Sequence, residues 1–193
     1  MVYKMIADRI IRNVSTNTPL DMEYRDIYAY SLERYLSNIF NLIIFAVVAI
    51  ALRIPGEAIV FAFFYGPLRK FAGGIHVKSR GFCLVLSLVI MVSVIWLSKG
   101  IALLPYWRMI SFILLGLACI LIYKLAPVDS VNRRLSKEKK YLFRKRSRWI
   151  ISLEAITLSL GIMILDVFTS YIILGVLAVL LEGIFLVPNK SDS

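Results

Sequence analysis

The chain has 193 residues, of which 60% are hydrophobic, with a mean hydropathy of +0.79 and a formal net charge of +11. Soluble domains sit at about 45–50% apolar, so this composition argues against a soluble enzyme and for a protein built into a membrane. The positive charge does not indicate a nucleic-acid binder, because the apolar sequence is too continuous and the basic residues are bunched: ten Lys/Arg lie between Lys124 and Arg148, against Asp129 and Glu138. The length suits one polytopic domain covering residues 1–193, divided into an N-terminal amphipathic part (1–35) and a membrane bundle (36–187).

In "MVYKMIADRIIRNV", Val2, Met5, Ile6, Ile10 and Val14 share one helical face, interrupted by Lys4, Asp8, Arg9 and Arg12. That pattern suits a helix lying in the plane of a membrane surface. The first 15 residues lack a continuous apolar core and a small-residue cleavage site, so no cleavable signal peptide is expected. "STNTP" breaks the pattern, and Asp21 is a plausible N-cap for a second helix carrying Tyr24, Ile27, Ser31, Tyr35 and Ile39.

Six apolar segments follow: Leu36–Leu52, Glu57–Leu68, Phe82–Leu97, Trp107–Leu125, Trp149–Leu165 and Ser170–Val187. A crossing needs roughly 20 apolar residues, with about 17 as the lower end, so the second segment is short. It is expected to be tilted, re-entrant or buried within the bundle. The fold class is therefore all-α, a polytopic helix bundle of about six membrane segments.

The basic residues orient it. Arg69, Lys70, Lys78 and Arg80 lie in or beside the connector 69–81 with no acidic neighbour, and the connector 126–148 is more basic still. The opposite connectors offer only Arg53, Lys99 and Arg108. By the positive-inside rule both basic connectors and both termini are expected in the cytoplasm. Polybasic segments of this kind also attract anionic lipid headgroups.

The first basic connector contains "LRKFAGGIHVKSRGFCL", residues 68–84, with the chain's only histidine, His76, and one of its two cysteines, Cys83. The nucleophile of a cysteine enzyme is the thiolate, whereas an unperturbed thiol, with a pKa of about 8.5, is mostly protonated at neutral pH. A helix beginning near Phe82 would set Cys83 in its first turn, at the positive end of the helix dipole, with Lys78 and Arg80 adding charge nearby. His76 could then take the thiol proton and return it to a leaving amine. On one continuous helix the two residues would stand about 10.5 Å apart, too far to pair. Gly73 and Gly74 open backbone conformations that let the segment turn back. The bland alternatives stay open: a solvated loop histidine and a cysteine that only packs. Cys119, inside "SFILLGLACILIY", reads as a small buried hydrophobe. One histidine and two distant cysteines make a poor metal set, and neither a metal nor another cofactor is expected.

The motif "RKFAGGIHVKSRGFC", with Arg69, Gly74, His76 and Cys83, resembles that of the accessory gene regulator protein B family, AgrB, as does the basic stretch "APVDSVNRRLSKEKKYLFRKRSR" (126–148). The likeness extends over most of the chain, including the order of spans and the C-terminal "LLEGIFLVP". AgrB proteins are membrane cysteine endopeptidases that process quorum-sensing peptide precursors in Gram-positive bacteria. The resemblance implies that the partner is an AgrD-like precursor, cleaved so that its remainder is held as a thioester and then cyclised to a thiolactone or lactone. It implies Cys83 as nucleophile, His76 as general base and acid, and supporting roles for Arg69 and Gly74. It also implies a homodimer, for which Gly116 with Ala118, or Gly161 with Gly175, would permit close helix contact.

Arg69 is expected either to hold substrate carboxylates or polarise the scissile carbonyl, or simply to anchor the topology. Glu33, Glu57 and Glu182 are candidates to orient the imidazole from elsewhere in the bundle. Two other classes compete with the peptidase: a small transporter or channel gated around Gly73-Gly74, and a non-catalytic membrane scaffold. A transporter would favour acidic residues along a pathway within the spans, whereas Glu57, Glu154, Asp166 and Glu182 lie mainly at span ends.

Overall fold

The structure is a computed structural model, and it describes residues 5, 9–10, 22–73, 80–128 and 136–187. The Asp21 cap and most of the expected interfacial helix lie outside the described residues. The described elements are helical: α1 (Met22–Ala51), α2 (Pro55–Ala72), α3 (Arg80–Ala102), α4 (Trp107–Leu125) and α5 (Lys137–Ile164), then a 3-10 turn (Asp166–Phe168) and α6 (Thr169–Phe185). Five helical stretches among them are long and apolar enough to cross a membrane: Ile27–Ala51, Gly81–Ala102, Trp107–Leu125, Lys137–Ile164 and Asp166–Phe185. The chain is thus an all-α, multi-pass membrane protein. The short second segment appears as α2, an 18-residue helix that is not among the five.

Contacts divide the chain into two compact units, Met1–Arg53 and Ile54–Ser193. In the first, α1 is long and apolar, with Leu42, Val47 and Ile50 exposed for lipid or protein contact.

In the second unit α6 is the central helix. It packs against α2, α3, α4 and α5, and its residues Ile172–Leu180 are buried without a break. A helix apolar on every face has no side to give to water, and the centre of a bundle is where it is satisfied. Gly175 makes the close packing possible. A Cβ there would stand 2.7 Å from Leu158 Cδ2 and 3.0 Å from the Phe64 ring. The outer helices bury one stripe each. On α4 that stripe is Ser111, Leu115, Ala118 and Ile122; on α5 it is Ser147, Ile151, Glu154, Leu158, Gly161 and Ile162.

Helix ends follow local chemistry. Pro55 starts α2, where its missing N–H costs nothing, and Glu57 meets the positive end of the dipole. Ser136 caps α5, its hydroxyl accepting from the Lys139 amide at 3.4 Å. The second basic connector consequently contains helix. Its half from Lys137 to Arg148 is the opening of α5, a continuation of the following span that hydropathy had placed from Trp149.

The helices of the second unit alternate in direction, so its two ends differ. At one end Lys99 pairs with Glu57 at 2.9 Å, and Arg108 in the first turn of α4 pairs with Asp166 in the 3-10 turn before α6. The other end gathers the C-terminal ends of α2, α4 and α6 and the N-terminal end of α5, as the contacts below show. Both basic connectors start there.

Candidate functional site at the end of α2

Cys83 lies in the first turn of α3 and is half-buried, with a free thiol. Arg80 opens the same helix. His76, Gly74 and Lys78 lie outside the described residues. What the structure does show is the frame on either side of them, from α2 up to Gly73 and from α3 onward.

On α2, Tyr65, Leu68, Arg69 and Ala72 recur at intervals of three and four residues and so share one face. Leu68 and Ala72 are fully buried. The Tyr65 ring stacks on Phe61 of the same helix, with centroids 5.2 Å apart.

Arg69 is held from three directions. Its Nη1 donates to the Gly73 carbonyl at 3.2 Å and stands 3.6 Å from Glu182 Oε2. The guanidinium also lies over the Phe185 ring, 5.6 Å from its centroid. Glu182 is fully buried, and among the described residues neither carboxylate oxygen has a partner within normal hydrogen-bond distance. The N···O separation makes this an ion pair rather than a hydrogen bond. An intramembrane carboxylate is costly unless a positive charge faces it, and here Arg69 faces it.

Gly73 ends α2 at φ +90°, ψ −138°, a conformation that residues with a Cβ avoid. A Cβ would also meet the Val128 carbonyl oxygen at 2.6 Å. Val128 is there because its N–H donates to the Ala72 carbonyl at 2.9 Å. The start of the second basic connector is therefore hydrogen-bonded to the end of α2, beside the start of the first.

The opening of α5 reaches the same place. The Phe143 ring meets Phe71 edge-on, centroids 5.7 Å apart, and the Arg146 guanidinium covers Phe71 at 5.4 Å. Charge and apolar contact thus bind α5 to the helix that carries Arg69.

The remaining candidates fall elsewhere. Glu57 is at the opposite end with Lys99. Glu33 belongs to the first unit, on α1. Cys119 is half-buried on α4, packed against the apolar core. Among the described residues no group of three or more His, Cys, Asp or Glu could hold a metal ion. Sequence reasoning passed over Tyr65, Phe71 and Val128. The i, i+3, i+4, i+7 spacing of α2 was the signal available for Tyr65. For Val128 there was none, because its contact joins residues far apart in the chain.

The family model described as Accessory gene regulator B matches residues 5–186. AgrB-like protein 2 of Clostridium perfringens (strain 13 / Type A) is 26% identical over 178 residues, covering 88% of this chain and 78% of the relative. An AgrB-like protein of Clostridium perfringens (strain SM101 / Type A) is 28% identical over 174 residues, covering 86% and 78%. No solved structure matches.

Proposed function

We propose that this chain, which belongs to the Accessory gene regulator B family, is a membrane cysteine endopeptidase that cuts an AgrD-like precursor and promotes cyclisation of the retained part. Family membership supports the coarser role, processing of an accessory gene regulator autoinducer. One observation carries the finer reading: Cys83, half-buried and with a free thiol, sits in the opening turn of α3.

The chemistry runs in two acyl transfers. The Cys83 thiolate attacks the scissile carbonyl, the C–N bond breaks, and His76 hands the thiol proton to the departing amine. The N-terminal part of the precursor stays as a thioester on Cys83. A cysteine thiol of that peptide, or a serine hydroxyl, then attacks the thioester, which frees Cys83 and closes a thiolactone or lactone. The attacking species is an anion, and the first turn of a helix is where backbone dipoles favour negative charge. A site at the membrane edge keeps water scarce, and water would otherwise hydrolyse the thioester before the ring closed.

In this reading Gly74 has a supporting role, and Arg69, Lys78 and Arg80 support the substrate. The end carrying both basic connectors faces the cytoplasm, in the cell membrane of a Gram-positive bacterium. Two copies form the working unit. The deciding experiment is a precursor that lacks its ring-forming cysteine. With it the wild type should accumulate a hydroxylamine-sensitive adduct mapping to Cys83 by mass spectrometry, and an adduct that forms equally on a Cys83→Ala chain would refute the reading.

A further inference from the structure

The apolar run of α6, "YIILGVLAVLLEGIF", contains one acidic residue, Glu182. It is fully buried, and among the described residues neither of its carboxylate oxygens has a partner within normal hydrogen-bond distance. Such a residue is destabilising on its own, since replacing it with an apolar side chain of similar size would remove a desolvation cost. Its geometry explains what it does there. Glu182 and Phe185 are three residues apart and so lie on one face of α6. From that face the carboxylate reaches Arg69 Nη1 at 3.6 Å, and the Phe185 ring lies 5.6 Å from the guanidinium carbon. The same Nη1 donates to the Gly73 carbonyl, the last described backbone group before the segment bearing His76. The central helix thus grips the guanidinium by charge and by π-face, and that guanidinium in turn holds the end of α2.

We infer that Glu182 is a positioning residue for the peptidase reaction, acting through Arg69 rather than on the substrate. It fixes the guanidinium against the end of α2, and with it the Gly73 carbonyl from which the histidine-bearing segment departs. This rests on the proposed function, and the two can be told apart by experiment.

The test uses the full chain in lipid nanodiscs in a Cys119→Ala background, so that thiol alkylation reports on Cys83 alone. Single-turnover precursor cleavage and the rate of Cys83 alkylation by iodoacetamide are measured side by side. Glu182→Gln should lower cleavage by up to about 10²-fold, the scale on which a misplaced catalytic geometry acts, with the alkylation rate unchanged. Glu182→Asp should recover part of the loss, and it carries the same test if Glu182→Gln fails to fold. In an Arg69→Lys background, Glu182→Gln should cost much less than in the wild type, because groups that act as a unit are not additive. Cleavage at the wild-type rate by Glu182→Gln would overturn the inference. So would full additivity with Arg69→Lys, or a fall in cleavage matched by an equal fall in alkylation. A wild-type chain that cleaves no precursor would defeat the peptidase reading itself.

Discussion

The amide of Val128 donates to the carbonyl of Ala72 at 2.9 Å, joining the two basic connectors at one point. Gly73 follows directly, and its φ of +90° together with the Val128 oxygen leaves no room for a side chain. Gly73→Ala should therefore cost about 1–3 kcal/mol from backbone strain alone. Both a lower unfolding temperature in detergent and reduced precursor cleavage are expected. A Gly73→Ala protein as stable as the wild type would show that the turn is more permissive than its geometry states.

The two cysteines should separate cleanly. Cys83→Ala is expected to abolish cleavage, and Cys119→Ala, on α4 against the apolar core, to leave most of it. His76→Ala should slow cleavage by roughly 10²–10⁴, the usual contribution of general acid–base catalysis. Normal cleavage by a membrane-inserted Cys83→Ala protein would return the transporter or scaffold to first place.

Charge at the far end should matter little. Arg108 and Asp166 pair with half or more of each side chain exposed, and exposed pairs contribute about 0–1 kcal/mol. Asp166→Asn is expected to shift stability within that range and to leave cleavage intact. Comparison with Glu182→Gln then shows whether the membrane acids are interchangeable or whether their place in the bundle decides.

Single cysteines at position 79 or at Ser136, in a chain otherwise free of accessible thiols, test the orientation. Intact cells treated with an impermeant thiol reagent should leave both unlabelled, as expected if the basic connectors are cytoplasmic. Labelling of both from outside would invert the topology.

Self-association is best tested at Gly116. Of the glycines considered for contact between copies, Gly161 and Gly175 are occupied within the chain, facing Ile172, and Leu158 with Phe64. Gly116 has nothing within 4 Å of where a Cβ would stand, and it is exposed. Gly116→Leu should weaken a dimer seen by crosslinking in nanodiscs, and unchanged crosslinking would remove this surface from consideration.

Much of the fold was legible because hydropathy is a one-dimensional property: the apolar runs became helices near their expected limits, and the doubtful run 57–68 became α2, outside the five candidate spans. Boundaries were misread where charge and helix coincide. Lys137–Arg148 is basic enough to look like a loop, yet it is the first three turns of α5, capped by Ser136. The position of Cys83 could be read from the start of an apolar run. The pairing of Arg69 with Glu182 could not, since 113 positions separate them and only the packing of α2 against α6 brings them together. In the sequence Glu182 is named with Glu33 and Glu57 as an acid that could orient the imidazole, and nothing there pairs it with Arg69.

The joint at Ala72, Gly73 and Val128 has an evolutionary reading. Two segments that look independent in the sequence, one carrying the cysteine-histidine motif and the other most of the positive charge, share a single fixed point. A side chain at position 73 is tolerable only if the carbonyl at 128 retreats, and Val128 is the same residue whose N–H holds the Ala72 carbonyl. Substitutions at these positions should therefore be inherited together, and a functional swap of either connector between relatives should succeed only when the joint travels with it.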